Sequence, residues 1–147
     1  MKAAPVSNDI ILRTGASIMV PVILLWGLYV LIHGAIGPGG GFQAGVILAA
    51  GFILYTTAFG LKEAKKILSV KLLMVIASTG LFIYAGVGML AIIFGGNFLE
   101  YGVIPIGRTP AEASKYGIEM VELGIGLTVM SIMLSIFYDI ALKEKGE

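Results

Sequence analysis

The sequence predicts an all-α integral membrane protein: four transmembrane helices, both chain ends cytoplasmic, and a short glycine-rich hairpin joining the first two helices. Three observations carry this. Hydrophobic residues make up 58% of the 147 residues and charged residues 13%, with a mean hydropathy of +0.98, far from the soluble range. Four apolar segments, near 14–36, 42–61, 70–94 and 117–140, each have the roughly 20 residues needed to cross about 30 Å of hydrocarbon. None alternates with period 2, and backbone amides in lipid need partners within their own segment, so these are helices and not barrel strands. The whole chain, 1–147, reads as a single membrane domain.

The first span is too long for the apolar core of a signal peptide, and no small-residue cleavage site follows it, so it is expected to remain as a helix. Pro21 is expected to kink it or to free a carbonyl. Trp26 and Tyr29 lie too deep for an interfacial belt and read as packing residues. His33, the only histidine, lies near the outer end. An imidazole there can exchange protons near neutral pH or serve as a hydrogen-bonded structural group.

Between the first two spans stands Gly37-Pro38-Gly39-Gly40-Gly41, whose conformational freedom lets the chain reverse within a few residues. Its amides face the positive end of the second span, where an anion or carboxylate could sit. No Lys-Ser or Lys-Thr pair follows, so nucleotide binding is not expected. The stretch reads as a structural hairpin or as a contact surface for a partner subunit. Gly41 and Gly45 form a GxxxG pair through which another helix can approach the backbone closely.

Eight basic residues (Lys2, Arg13, Lys62, Lys65, Lys66, Lys71, Lys143, Lys145) fall on one side of this layout and two (Arg108, Lys115) on the other. The positive-inside rule therefore places both ends and loop 62–71 in the cytoplasm, with loops 37–41 and 95–116 outside. In the second outer loop Thr109-Pro110-Ala111-Glu112 has the form of a capping box with proline at the first helical position. A short helix is expected to start there and run into the fourth span, with a possible bend at Gly117.

At 100° per residue, Gly117, Gly124, Thr128, Ser131 and Ser135 line one stripe of the fourth span, while Glu119 and Glu122 fall near the opposite face. Both faces call for protein or water beside them, and from that geometry the chain is expected inside a larger assembly. Glu122 lies about five residues inside the predicted span, about 7–8 Å deep, beyond easy snorkelling. It needs a proton, a cation or an opposite charge. A proton or cation relay and a static pair with a Lys or Arg of another subunit both fit. Glu119, nearer the end, reads as hydrated. Asp139 reads as an ordinary i, i+4 pair with Lys143. Tyr116 and Tyr138, at the span ends, fit the interfacial belt, and Met74, Met89, Met130 and Met133 read as gap-fillers.

Composition excludes several chemistries. With no cysteine there are no disulfides, thiolate metal sites or iron–sulfur clusters in the chain, and a net charge of +1 without a basic patch gives no footprint for nucleic acid. One His with two Glu of unknown separation is not a metal motif, and no cofactor is expected.

The segment HGAIGPGGGFQAGVILAAGF, with Pro38, Gly39, Gly40, Gly41, Phe42 and Gln43 at its centre, resembles the MnhB domain, the B-type component of Mrp-type multisubunit sodium/proton antiporters. GIEMVELGIGLTV looks like the fourth-span segment of that family, with Glu122 at its acidic position. The resemblance implies a small noncatalytic subunit of the prokaryotic cell membrane, assembled with other membrane subunits that move Na+ and H+. Related modules occur in archaeal membrane-bound hydrogenases and sulfur-reducing complexes, so the parent assembly is either a stand-alone antiporter or such a respiratory complex. Two functions follow: a subunit that supports assembly and cation or proton translocation, with Glu122, Glu119 and His33 as path candidates, or a structural adaptor that packs or seals the pumping subunits. A stand-alone enzyme is disfavoured, since no nucleophile–base pair or metal cluster is present.

Overall fold

A computed structural model describes residues 10–34 and 39–146, with backbone only for 144–146. The chain forms α1 (Ile10–His33), α2 (Gly41–Phe59), α3 (Leu61–Ile67), α4 (Val70–Ile93), a 3-10 turn (Tyr101–Val103) and α5 (Pro110–Gly146). Four of these helices, α1, α2, α4 and α5, are long and apolar enough to cross a bilayer, and no strand occurs among the described residues.

The four spans fall where the apolar segments predict them. The helices extend past the apolar limits at both ends of α5, because helix length is set by backbone hydrogen bonds and caps and not by hydropathy. At the start of α5 the expected cap is present, shifted by one residue: Arg108 N–H donates to Glu112 Oε2 (2.9 Å), and Glu112 N–H donates to Thr109 Oγ1 (3.2 Å). The helix then runs through Gly117 without a break. Thr109→Ala is expected to cost about 1 kcal/mol of stability, read as a lower melting midpoint of the purified protein.

The segment predicted as a plain loop at 62–71 contains α3. Leu61, Ala64 and Leu68 recur at helical spacing and are buried in a cluster with Leu73, Leu134 and Tyr138. Gly60, at φ +94°, ends α2 and begins α3 in a backbone region that side chains rarely allow. Ser69 then caps α4 by accepting from Leu72 N–H (3.2 Å).

Close contacts give the order α1, α2, α5, α4. Gly27 meets Leu48 and Gly51 meets Leu24, so α1 and α2 are antiparallel. Gly41 meets Glu122 and Gly45 meets Val129, so α2 and α5 run parallel. Gly80 meets Thr128, and Val87 clusters with Val121, so α4 runs antiparallel to α5. Residues 39–41 and the 94–109 segment therefore lie at one end of the bundle, with α3 at the other.

Several side chains depart from expectation. Within the same chain, α4 covers Gly124 and Thr128, Tyr101 covers Gly117, and the start of α2 lies against Glu122, so these residues of α5 are hidden without other subunits, while Glu119 stays half-exposed. Trp26 and Tyr29 do not pack inside: they are 58% and 52% exposed, stacked on each other with centroids 5.3 Å apart. Tyr138 is not in a belt but 1% exposed in the core, with Lys65 Nζ 5.8 Å from its ring centroid. Asp139 is exposed and makes no salt bridge to Lys143 among the described residues. Of the four methionines, Met130 is buried and fills a gap beside Leu48 and Ala49, while Met74, Met89 and Met133 are exposed.

Candidate functional site

Glu122 points into the junction where α1 ends and α2 begins. Gly34 follows the last residue of α1, and a Cβ built there would run into the Glu122 carboxyl group. A Cβ at Gly40 would lie 3.3 Å from Oε1, and at Gly41 it would overlap the main chain of Glu122. Gly40 also has φ +131°, a second reason for glycine at that position. The carboxyl group thus occupies volume that side chains at 34 and 40 would fill. Oε2 is buried and has no hydrogen-bond partner among the described residues. Beside it begins α2, whose first intrahelical acceptor is Gly40 O, bonded by Ala44 N–H at 3.0 Å. The amides of Gly41, Phe42 and Gln43 therefore form the positive end of that helix.

The other two path candidates are not gathered there. Glu119 lies on the half-exposed surface 3.8 Å from Lys115 Nζ, as a hydrated pair would. The His33 ring stacks on Tyr29, centroids 5.3 Å apart and planes 15° apart, and among the described residues no hydrogen bond or salt bridge joins it to Glu122. Among the same residues no group of three His, Asp or Glu could hold a metal ion.

The hairpin motif divides. Pro38 lies outside the described residues, as do residues 35–37. Gly39 is packed so that a Cβ would meet Val30 O at 2.8 Å. Phe42 and Gln43 are exposed at the start of α2. Gly41 and Gly45 do let a helix approach: a Cβ at Gly45 would sit 2.7 Å from Gly126 O, and one at Gly126 would sit 3.2 Å from Gly41 O. Two four-residue spacings, Gly41/Gly45 and Glu122/Gly126, thus face each other across α2 and α5.

Gly124 and Thr128 of the small-residue stripe face α4. A Cβ at Gly124 would lie 2.7 Å from Gly80 O. Thr128 Oγ1 lies 2.9 Å from Gly124 O and 3.2 Å from Ala77 O, so its proton serves one carbonyl within α5 and one across the helix pair. Ser131 is buried, its hydroxyl unpartnered among the described residues, and Ser135 is half-buried. Gly117 belongs to a different contact, with the Tyr101 ring seated directly on it.

Sequence reasoning missed Gly34, Gly80 and Tyr101. The spacing of Ala77 and Gly80 on α4 was a readable signal for a partner to Gly124 and Thr128. Nothing local marks Gly34, since its role depends on a side chain 88 positions away. Tyr101, in the connecting segment, has its phenol pushed above the usual tyrosine range, first by burial and then by Tyr84 and Glu122.

Comparison with known proteins covers all the residues that form this junction. Residues 11–135 match the family described as a domain related to the MnhB subunit of Na+/H+ antiporter. The chain is 32% identical over 143 residues to the B-type subunit of a Na(+)/H(+) antiporter of Bacillus subtilis, covering 94% of this chain and 96% of that one. It is 36% identical over 133 residues to a putative antiporter subunit mnhB2 of Staphylococcus haemolyticus (88% and 92%). To a putative antiporter subunit mnhB2 of Staphylococcus aureus strain Newman it is 30% identical over 137 residues (91% and 95%).

Proposed function

The chain belongs to the MnhB family of Na+/H+ antiporter subunits, and on that premise we propose that Glu122 takes part in moving protons or cations through the assembled complex. The chain itself is a multi-pass membrane subunit of a multisubunit antiporter, a transporter component rather than an enzyme. The observation that carries the proposal is the buried Oε2 of Glu122 at the glycine-walled junction, without a hydrogen-bond partner among the described residues. Glu122 is partly exposed as a residue, but a carboxylate oxygen held away from water without a partner carries a desolvation cost, which a site that binds and releases a positive charge offsets.

Glu122→Gln keeps the shape of the side chain and removes its charge. The expected result is a complex with its full set of subunits whose sodium/proton exchange in inverted vesicles falls about tenfold, equivalent to about 1.4 kcal/mol. Unchanged exchange in an intact complex removes the role.

A second reading, the structural adaptor, is favoured by the outer faces of α1 and α4. Leu25 and Ile32 on α1 and Phe82 and Ile93 on α4 are strongly exposed, broad enough to pack against larger subunits or lipid. In either reading the chain ends and α3 lie in the cytoplasm of a prokaryotic cell, supported by the concentration of Lys and Arg at that end. The parent assembly is a free antiporter, in keeping with the names of the relatives. Iron–sulfur and nickel proteins copurifying with the chain would move it to a hydrogenase-like complex.

A further inference from the structure

We propose that the end of the bundle formed by α3 and the starts of α1 and α4 is a docking surface for the headgroups of anionic phospholipids.

The depth of this surface follows from α2. Its 19 residues span about 28 Å at 1.5 Å per residue, close to the thickness of the hydrocarbon. Gly60 then turns the chain at φ +94°, and α3 begins at the level of the lipid phosphates. Leu61, Ala64 and Leu68 hold α3 against Leu73, Leu134 and Tyr138, which leaves Lys62, Glu63, Lys66 and Ile67 exposed. Cations with an exposed isoleucine beside them suit a boundary where phosphate lies over acyl chain.

The charges at this end do not cancel within the described residues. An ion pair joins Lys66 Nζ to Glu63 Oε1 (2.7 Å), while Arg13, Lys62, Lys65, Lys71 and Lys143 have no carboxylate partner among those residues. The other described acid at this end, Asp139, is exposed. Two of the cations are steadied by aromatic rings: Arg13 Cζ lies 5.3 Å from the Phe59 centroid and Lys65 Nζ 5.8 Å from the Tyr138 centroid. A ring holds a cation in place without neutralising it, so both remain free to take an anion. Lys71 stands in the first turn of α4, which carries no acid. A cation at the positive end of a helix is unfavourable until an anion joins it. Phosphate answers all of these groups with one chemistry, and an anionic headgroup supplies it at this depth.

Photolabelling of the assembled complex in detergent tests this. Two lipid probes carry the same diazirine on the acyl chain close to the glycerol, one with a phosphatidylglycerol headgroup and one with phosphatidylcholine. Mass spectrometry of peptides from this chain reads the adducts, and α4 around the exposed Ile93, at the opposite end of the bundle, is the reference for general lipid contact. The expected result is labelling of 61–71 by the phosphatidylglycerol probe about twentyfold or more above the phosphatidylcholine probe, with both probes equal around Ile93. Lys62→Gln combined with Lys71→Gln lowers that preference by about fivefold for each charge removed, and Lys62→Arg combined with Lys71→Arg retains it. The comparison of the two probes on the parent complex needs no variant. Equal labelling of 61–71 by both probes overturns the proposal and leaves α3 in contact with bulk lipid alone. A preference that survives the glutamine pair overturns it as well, since these charges then do not select the lipid. Absence of labelling by either probe also overturns it, and a zero-length carbodiimide cross-link from Lys62 or Lys71 to another subunit then identifies an acidic protein segment as the occupant.

Discussion

Gly41→Ala is expected to yield a chain that no longer assembles, although it adds one methyl group. The added carbon would overlap the main chain of Glu122, and neither α2 nor α5 has a flexible side chain there that could swing away. The two helices would have to separate, which also opens the contacts of Gly45 with Gly126 and of Leu48 and Ala49 with Met130. Overpacking against side chains costs about 1–3 kcal/mol, and a rigid backbone puts this case at about 3 kcal/mol or more. Native gels and copurification of the other subunits check it. Gly86→Ala is the matched control, since a Cβ at Gly86 meets nothing within 4 Å. If Gly41→Ala assembles and melts like Gly86→Ala, the α2–α5 contact is not what holds the bundle.

Tyr138→Ala is expected to be the most damaging single truncation at the other end. The ring is 1% exposed and packs in the cluster of Leu61, Ala64, Leu68, Leu73 and Leu134, which ties α3, α4 and α5 together. Removing a large buried aromatic costs about 3–5 kcal/mol, enough to exhaust much of the stability of a chain this size. Tyr138→Phe keeps the packing, loses only the hydroxyl's hydrogen bond with Thr56, and is expected to melt much closer to the parent than Tyr138→Ala. A melting midpoint of Tyr138→Ala equal to the parent's would return Tyr138 to an interfacial role.

Glu122 stood out because an acidic residue in an apolar run is costly wherever its neighbours are. Gly41 and Gly45 stood out because their four-residue spacing is local. The separation of the three path candidates was not legible: depth along the bundle says nothing about rotation around the helix, and Glu122, Glu119 and His33 end in a glycine junction, a surface ion pair and an aromatic stack. Trp26 and Tyr138 exchanged places between inside and outside for the same reason. In a helix that is apolar all round, hydropathy marks no inner face.

What the sequence by itself determined is the number of spans, their approximate limits and the cap at Thr109. Each rests on local chemistry: a bilayer requires about 20 apolar residues with every amide bonded inside its own helix, and a cap is complete within a few residues. Only the tertiary structure decided that α5 lies between α2 and α4, that α3 closes one end, and that Gly34 and Gly41 enclose Glu122. Those outcomes depend on shape. Where helices cannot be sorted by hydrophobicity, the notches left by missing side chains choose the neighbours, and a notch has no meaning until the opposite helix is in it.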